Sequence, residues 1–96
     1  MTNYTLTFPD DFDDYEWEVK SKGWFGNAKL KILGKEYRLN FYDPVRLGQE
    51  IESELHCRTA FFEHNLIVIQ SVTRSDMKSA VEILVQSGEA GLLVPE

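Results

Sequence analysis

The chain has 96 residues, of which 43% are hydrophobic and 27% are charged, a composition that excludes a disordered chain and is typical of a globular protein. Its net charge of −6 argues against non-specific binding to nucleic acid or to anionic membranes, because both need clustered lysine and arginine. No apolar run approaches the roughly 18 residues of a membrane-spanning helix.

Alternation of apolar and polar residues predicts four strands in the first half of the chain. The first strand, residues 4–8, ends at Pro9. The other three are expected to form an antiparallel meander with turns at residues 23–27 and 34–35, with one apolar and one polar face. The apolar residues assigned to the meander are Tyr15, Trp17, Val19, Ala28, Leu30, Ile32, Tyr37, Leu39 and Phe41.

Two helices are predicted in the second half of the chain. The first begins at Asp43, which can cap the free N–H groups, followed by Pro44 at a position where proline costs no hydrogen bond. This helix is expected to run to about Cys57. The second begins near Thr73, in a pattern typical of a capping box, and ends at Gly88.

A hairpin is predicted between the two helices. Residues 59–63 and 66–72 would be its strands, joined at His64 and Asn65, since asparagine tolerates left-handed backbone angles. A last edge strand is expected at residues 91–94. This order of elements predicts a single α+β domain over the whole chain. It would be a two-layer sandwich with a mainly antiparallel sheet, made of the N-terminal strand, the meander and the hairpin, and with both helices on one face.

The segment Asp10–Glu18, DDFDDYEWE, carries six acidic residues and no basic one. It does not match a calcium loop, because Tyr15 holds the third ligand position and no glycine follows. We therefore expect neither a metal nor another cofactor. Two interpretations remain, a solvated turn or a docking surface for a basic partner. The residues concerned are Asp10, Asp11, Asp13 and Asp14.

Aromatic and aliphatic residues supply two further candidate contact surfaces. Trp24 and Phe25 lie in a predicted glycine-flanked turn, where they either cover the edge of the sheet or form an exposed anchor for a partner. Both faces of the predicted hairpin are apolar, so its outer face is expected to form a homodimer interface through Phe61, Leu66 and Val68.

The one cysteine, Cys57, cannot form an internal disulfide, which favours a reducing compartment such as the cytoplasm. Beside His56 it lacks the geometry of a nucleophile and base, because adjacent helical residues point about 100° apart. A half-buried structural cysteine is the simplest interpretation.

These observations predict a small, acidic, non-enzymatic domain that regulates or neutralises a basic protein partner. Its size and charge are similar to those of small toxin-immunity and antitoxin proteins, although no motif is shared. The alternative is an enzyme whose site is assembled from dispersed residues on the open face of the sheet, namely Glu16, Glu18, Lys31, Arg38 and Tyr42.

Overall fold

The computed structural model describes residues 3–96 and has an α+β fold, with a four-stranded mixed sheet and three α-helices. A short 3-10 helix follows the last α-helix. The elements in chain order are β1 (Tyr4–Thr7), α1 (Phe12–Lys22), β2 (Trp24–Ile32), β3 (Lys35–Tyr42), α2 (Pro44–Cys57), β4 (Leu66–Val68), α3 (Arg74–Ser87) and the 3-10 helix (Glu89–Leu92).

The strands lie in the order β1-β2-β3-β4. β1, β2 and β3 are antiparallel neighbours, whereas β4 runs parallel to β3. Of these pairs the sequence predicts β2 with β3, but it assigns the place beside β2, which β1 occupies, to a strand at residues 15–20. Leu30 lies opposite Leu6 on one side and Tyr37 on the other, and Phe41 lies opposite Ile67. These side chains share one face, which forms the core and is called here the inner face.

Two of the helices cover the inner face. Phe12 and Val19 of α1 and Met77 and Val81 of α3 are buried in one cluster with the inner residues of β2 and β3. No residue of α2 is fully buried, and this helix lies beside Tyr42 on the outer face of the sheet. The prediction that all helices cover one face is therefore wrong for α2, which connects two parallel strands.

The predicted strand over residues 15–20 is also wrong, because this segment is the second half of α1. Phe12 and Val19, seven residues apart, are both buried in the core, and the backbone of Tyr15, with φ of −132° and ψ of 16°, kinks the helix between them. Gly23 ends α1 with φ of 73°, and its N–H donates to the carbonyl of Val19. The alternation of apolar and polar residues over 15–20 did not distinguish a strand from a helix, because Tyr15 and Val19, four residues apart, also fit a helical period.

The predicted hairpin does not form. Residues 59–63 belong to a loop, and only Leu66–Val68 form a strand. Because α2 crosses over between β3 and this strand, the two strands run parallel. A short strand with apolar residues on both faces is typical of parallel pairing, so the pattern had a second explanation. The left-handed backbone of Asn65 is confirmed, with φ of 56°.

The predicted edge strand at residues 91–94 is wrong, because the 3-10 helix occupies its first half. The chain then extends beside β3, where the N–H of Glu96 donates to the carbonyl of Glu36.

The predicted helix caps are confirmed. The carboxylate of Asp43 accepts a hydrogen bond from the N–H of Arg46 at 2.7 Å, and the hydroxyl of Thr73 accepts one from Asp76 at 3.2 Å. No helix within residues 3–96 has the length and apolar character to cross a membrane.

Candidate functional site

The outward side of α1 combines exposed carboxylates with an exposed tryptophan. Trp17 is 67% exposed, although its position in the sequence pattern predicts burial. Asp14 lies three residues before it, across a kink at Tyr15, whose φ of −132° is not helical, and Glu18 follows it directly. We call this region the acidic α1 surface; its members are Asp10, Asp11, Asp14, Trp17 and Glu18, all exposed.

A cluster of aromatic rings packs between the start of α1 and the sheet. The ring of Phe12 lies 5.0 Å from that of Phe8 and 4.9 Å from that of Phe25, the latter edge to face. The guanidinium group of Arg74 lies over Phe8 and Phe12, at 4.8 and 5.1 Å from the ring centroids. Since Phe25 belongs to β2 and Phe12 is fully buried, these contacts anchor the first turn of α1 against the sheet.

Two acidic residues of the segment serve the fold. Asp13 pairs with the guanidinium of Arg74 at 2.6 Å, and Glu16 accepts the backbone N–H of Arg74 at 2.8 Å. The Glu16 contact adds a carboxylate to the N-terminus of α3, where the helix dipole favours negative charge. The acidic segment is therefore divided: two carboxylates join α1 to α3, and the other four point outward.

Trp24 and Phe25 are not in a turn, because β2 begins at Trp24. Phe25 is buried in the core, so its prediction as an exposed anchor is wrong. Trp24 lies opposite Tyr42 and is partly exposed at the end of the outer face. The better-exposed tryptophan is Trp17, and the helical spacing of Phe12 and Val19 is the signal that could have identified it.

The residues proposed for an enzymatic site do not lie together. Glu16 and Glu18 belong to α1, on the inner side of the sheet, whereas Lys31 and Arg38 lie on its outer face. Lys31 faces Glu36 across the strands, and Arg38 donates to the carbonyl of Gly26 at 2.7 Å. That assembly of catalytic residues is therefore wrong.

Tyr42, the fifth residue of that set, lies away from the others under α2. Its hydroxyl donates to the carboxylate of Glu63 at 2.9 Å. Burial and this carboxylate raise the pKa of Tyr42 above its usual value of 10.0, so the phenol stays neutral and is a poor base.

The residues predicted for the homodimer interface lie in two different elements. Leu66 and Val68 lie on the outer side of β4, and Phe61 is half-buried in the loop before it. No observation tests the homodimer, so it stays a prediction. Cys57 is exposed rather than half-buried.

In the part of the chain that the structure describes, no three histidine, cysteine, aspartate or glutamate side chains converge. The expectation that the domain folds without a metal remains a prediction.

Comparisons with protein families, with curated proteins and with solved structures find no match to this chain.

Proposed function

We propose that this chain is a non-enzymatic binding domain that docks a basic protein partner through the acidic α1 surface. The exposure of Trp17 among outward carboxylates is the observation that carries this proposal. Tryptophan is enriched among the residues that dominate binding energy in protein interfaces. Covering an indole that is two-thirds exposed would bury further apolar area at such an interface.

The charge of this surface specifies the partner. Among the described residues, no ion pair reaches Asp10, Asp11, Asp14 or Glu18, and Asp13 alone of the neighbouring acidic residues has a cationic partner. Free carboxylates attract a cationic surface and raise its association rate, an effect that weakens with salt. Arginine on the partner would suit the site best, since it pairs with carboxylates and also stacks on indole rings.

We also propose a reducing compartment such as the cytoplasm as its location, because its one cysteine, Cys57, is free and exposed.

The test is a comparison of binding by matched variants. A partner would first be captured by chemical crosslinking in the native host, purified, and titrated with the unmodified protein. Trp17→Ala is expected to weaken affinity by at least 30-fold, which corresponds to about 2 kcal/mol for a binding hot spot. Asp10→Asn, Asp11→Asn and Asp14→Asn together should lower the association rate and its dependence on salt, measured by stopped flow.

The control for charge is a triple variant with Glu36→Gln, Glu52→Gln and Glu82→Gln, three exposed residues elsewhere on the molecule. It removes the same formal charge and should leave the association rate nearly unchanged. If the control slows association as much as the aspartate variant does, net charge alone attracts the partner. If Trp17→Ala also binds normally, the acidic α1 surface is not the docking site.

A further inference from the structure

We propose that β4 binds an extended, basic segment of a partner protein by strand addition. This goes beyond the proposed function, because it concerns a second surface. α1 meets the N-terminal end of α3 through the Asp13–Arg74 pair, whereas the β4 groove contacts α3 near its C-terminal end, at Leu84. Leu84 lies ten residues after Arg74, about 15 Å along the helix, so the two surfaces are separate.

The backbone of β4 leaves one edge free. The carbonyl of Asn65 accepts from Asn40, and the N–H of Ile69 donates to Tyr42, so odd-numbered residues of this segment face β3. The N–H and C=O groups of Leu66 and Val68 consequently point away from the sheet. Because β4 is the last strand in the sheet order, these groups face the side where a further strand would pair.

An apolar groove runs beside this edge. Its volume is about 440 Å³, and it lies between β4, the end of α3 and the C-terminal segment. The apolar residues that line it are Leu66, Ile67, Leu84, Leu92, Leu93 and Val94. Alternate side chains of an added strand would enter this groove while its backbone pairs with β4.

The charge of the groove selects the occupant. Glu63 and Glu89 line it together with His64 and Asn65, and no lysine or arginine is among its lining residues. The Glu63 carboxylate also accepts a hydrogen bond from the hydroxyl of Tyr42. A strand with apolar residues on one side and lysine or arginine at its ends would therefore match both its apolar lining and its carboxylates. A second copy of this acidic chain would bring further carboxylates towards Glu63 and Glu89, which disfavours self-pairing at this edge.

The groove is fixed before anything binds. The side-chain amide of Asn65 donates to the carbonyls of Arg38 and Val94, and its oxygen accepts the N–H of Val94 at 2.7 Å. These bonds hold the C-terminal wall of the groove against β3. A preformed groove lowers the ordering cost that a peptide-binding site otherwise carries.

The test uses a labelled, capped peptide of alternating valine and lysine, with fluorescence anisotropy as the measure of binding. A second peptide of the same sequence and charge, with every backbone amide N-methylated, has no N–H group to donate to a strand edge. The alternating peptide should bind, the N-methylated peptide should not, and hydrogen exchange at the amides of Leu66 and Val68 should slow on binding. Equal binding of both peptides would overturn the proposal.

Matched variants locate the binding. Leu92 and Leu33 are 82% and 83% exposed, and only Leu92 lines the groove. Leu92→Lys should weaken binding at least tenfold, whereas Leu33→Lys should leave it unchanged. If the peptide instead loses affinity for the Asp10, Asp11 and Asp14 variant and keeps it for Leu92→Lys, it binds the acidic α1 surface and the β4 proposal is wrong. A concentration-dependent dimer that excludes the peptide would assign the edge to a second copy and would also overturn it.

Discussion

Phe12→Ala is expected to lower the free energy of unfolding by about 3–5 kcal/mol, the usual cost of deleting a buried aromatic ring. Phe12 is 0% exposed and contacts the rings of Phe8, Phe25 and Tyr15. Its removal opens a cavity and also takes away part of the aromatic support beneath Arg74. Urea unfolding monitored by far-UV circular dichroism measures the change.

The control is Trp17→Ala, five residues further along α1. Removing the exposed Trp17 side chain should change the free energy of unfolding by less than about 0.5 kcal/mol. A strand over residues 15–20 would give the opposite result, with Trp17 in the core and a loss of several kcal/mol on its removal. The pair of variants therefore separates the helix from the strand, and a costly Trp17→Ala would exclude the arrangement of α1 described above.

Asn65→Ala is expected to lower the free energy of unfolding by about 2–4 kcal/mol, from three lost side-chain hydrogen bonds and an unfavourable left-handed backbone. Asn65 joins the loop before β4, the carbonyl of Arg38 and the C-terminal segment at Val94. Its φ of 56° is a conformation that alanine adopts poorly. Urea unfolding gives the total cost, and limited proteolysis near the C-terminus shows whether the C-terminal segment is released.

Two further variants divide that cost. Asn65→Gly keeps the left-handed backbone and removes the side-chain bonds, so it should be less destabilising than Asn65→Ala. Asn65→Asp keeps the acceptor for the N–H of Val94 and loses both donated bonds. If all three variants unfold like the unmodified protein, the C-terminal segment is held by other contacts, and the preformed groove beside β4 loses its support.

Local chemistry made part of this fold predictable. Asp43 and Thr73 were identified as caps because a cap depends only on the neighbouring residues and on the free N–H groups of one helix turn. The antiparallel pairing of β2 with β3 was likewise predictable from the tight turn between them. The register was not, because the turn lies at Leu33 and Gly34, one residue before the predicted position, so that Ile32 faces Lys35. The alternation of Leu30 and Leu39 with polar residues then gives the inner face.

Two segments were not predictable because their patterns permit two structures. Residues 15–19 satisfy both a strand and a helix, and the local pattern does not include contacts such as that of Phe12 with Phe25, 13 residues further on. The sequence 66–69 permits a hairpin partner or a parallel one. Its pairing with β3 depends on contacts across more than 20 residues, which no local pattern encodes.

The candidate site was predictable only in part, for the same reason. The acidic character of residues 10–18 is evident in the sequence, but which carboxylates point outward follows from the direction of α1. The carboxylates of Asp13 and Glu16 accept hydrogen bonds from Arg74, a residue about 60 positions away. The exposed aromatic residue was assigned to Trp24 and Phe25 instead of Trp17 for the same reason.

The most direct measurement is the collisional quenching of Trp17 fluorescence in a Trp24→Phe variant, which leaves one tryptophan in the chain. An exposed indole surrounded by carboxylates should be quenched readily. Relative to free N-acetyltryptophanamide, caesium ions should quench it more strongly than iodide does, because the acidic α1 surface attracts cations and repels anions. High salt should reduce this difference between the two quenchers. A Trp17 that resists both quenchers, or that on the same relative scale iodide quenches as well as caesium does, would contradict an exposed tryptophan on an acidic docking surface.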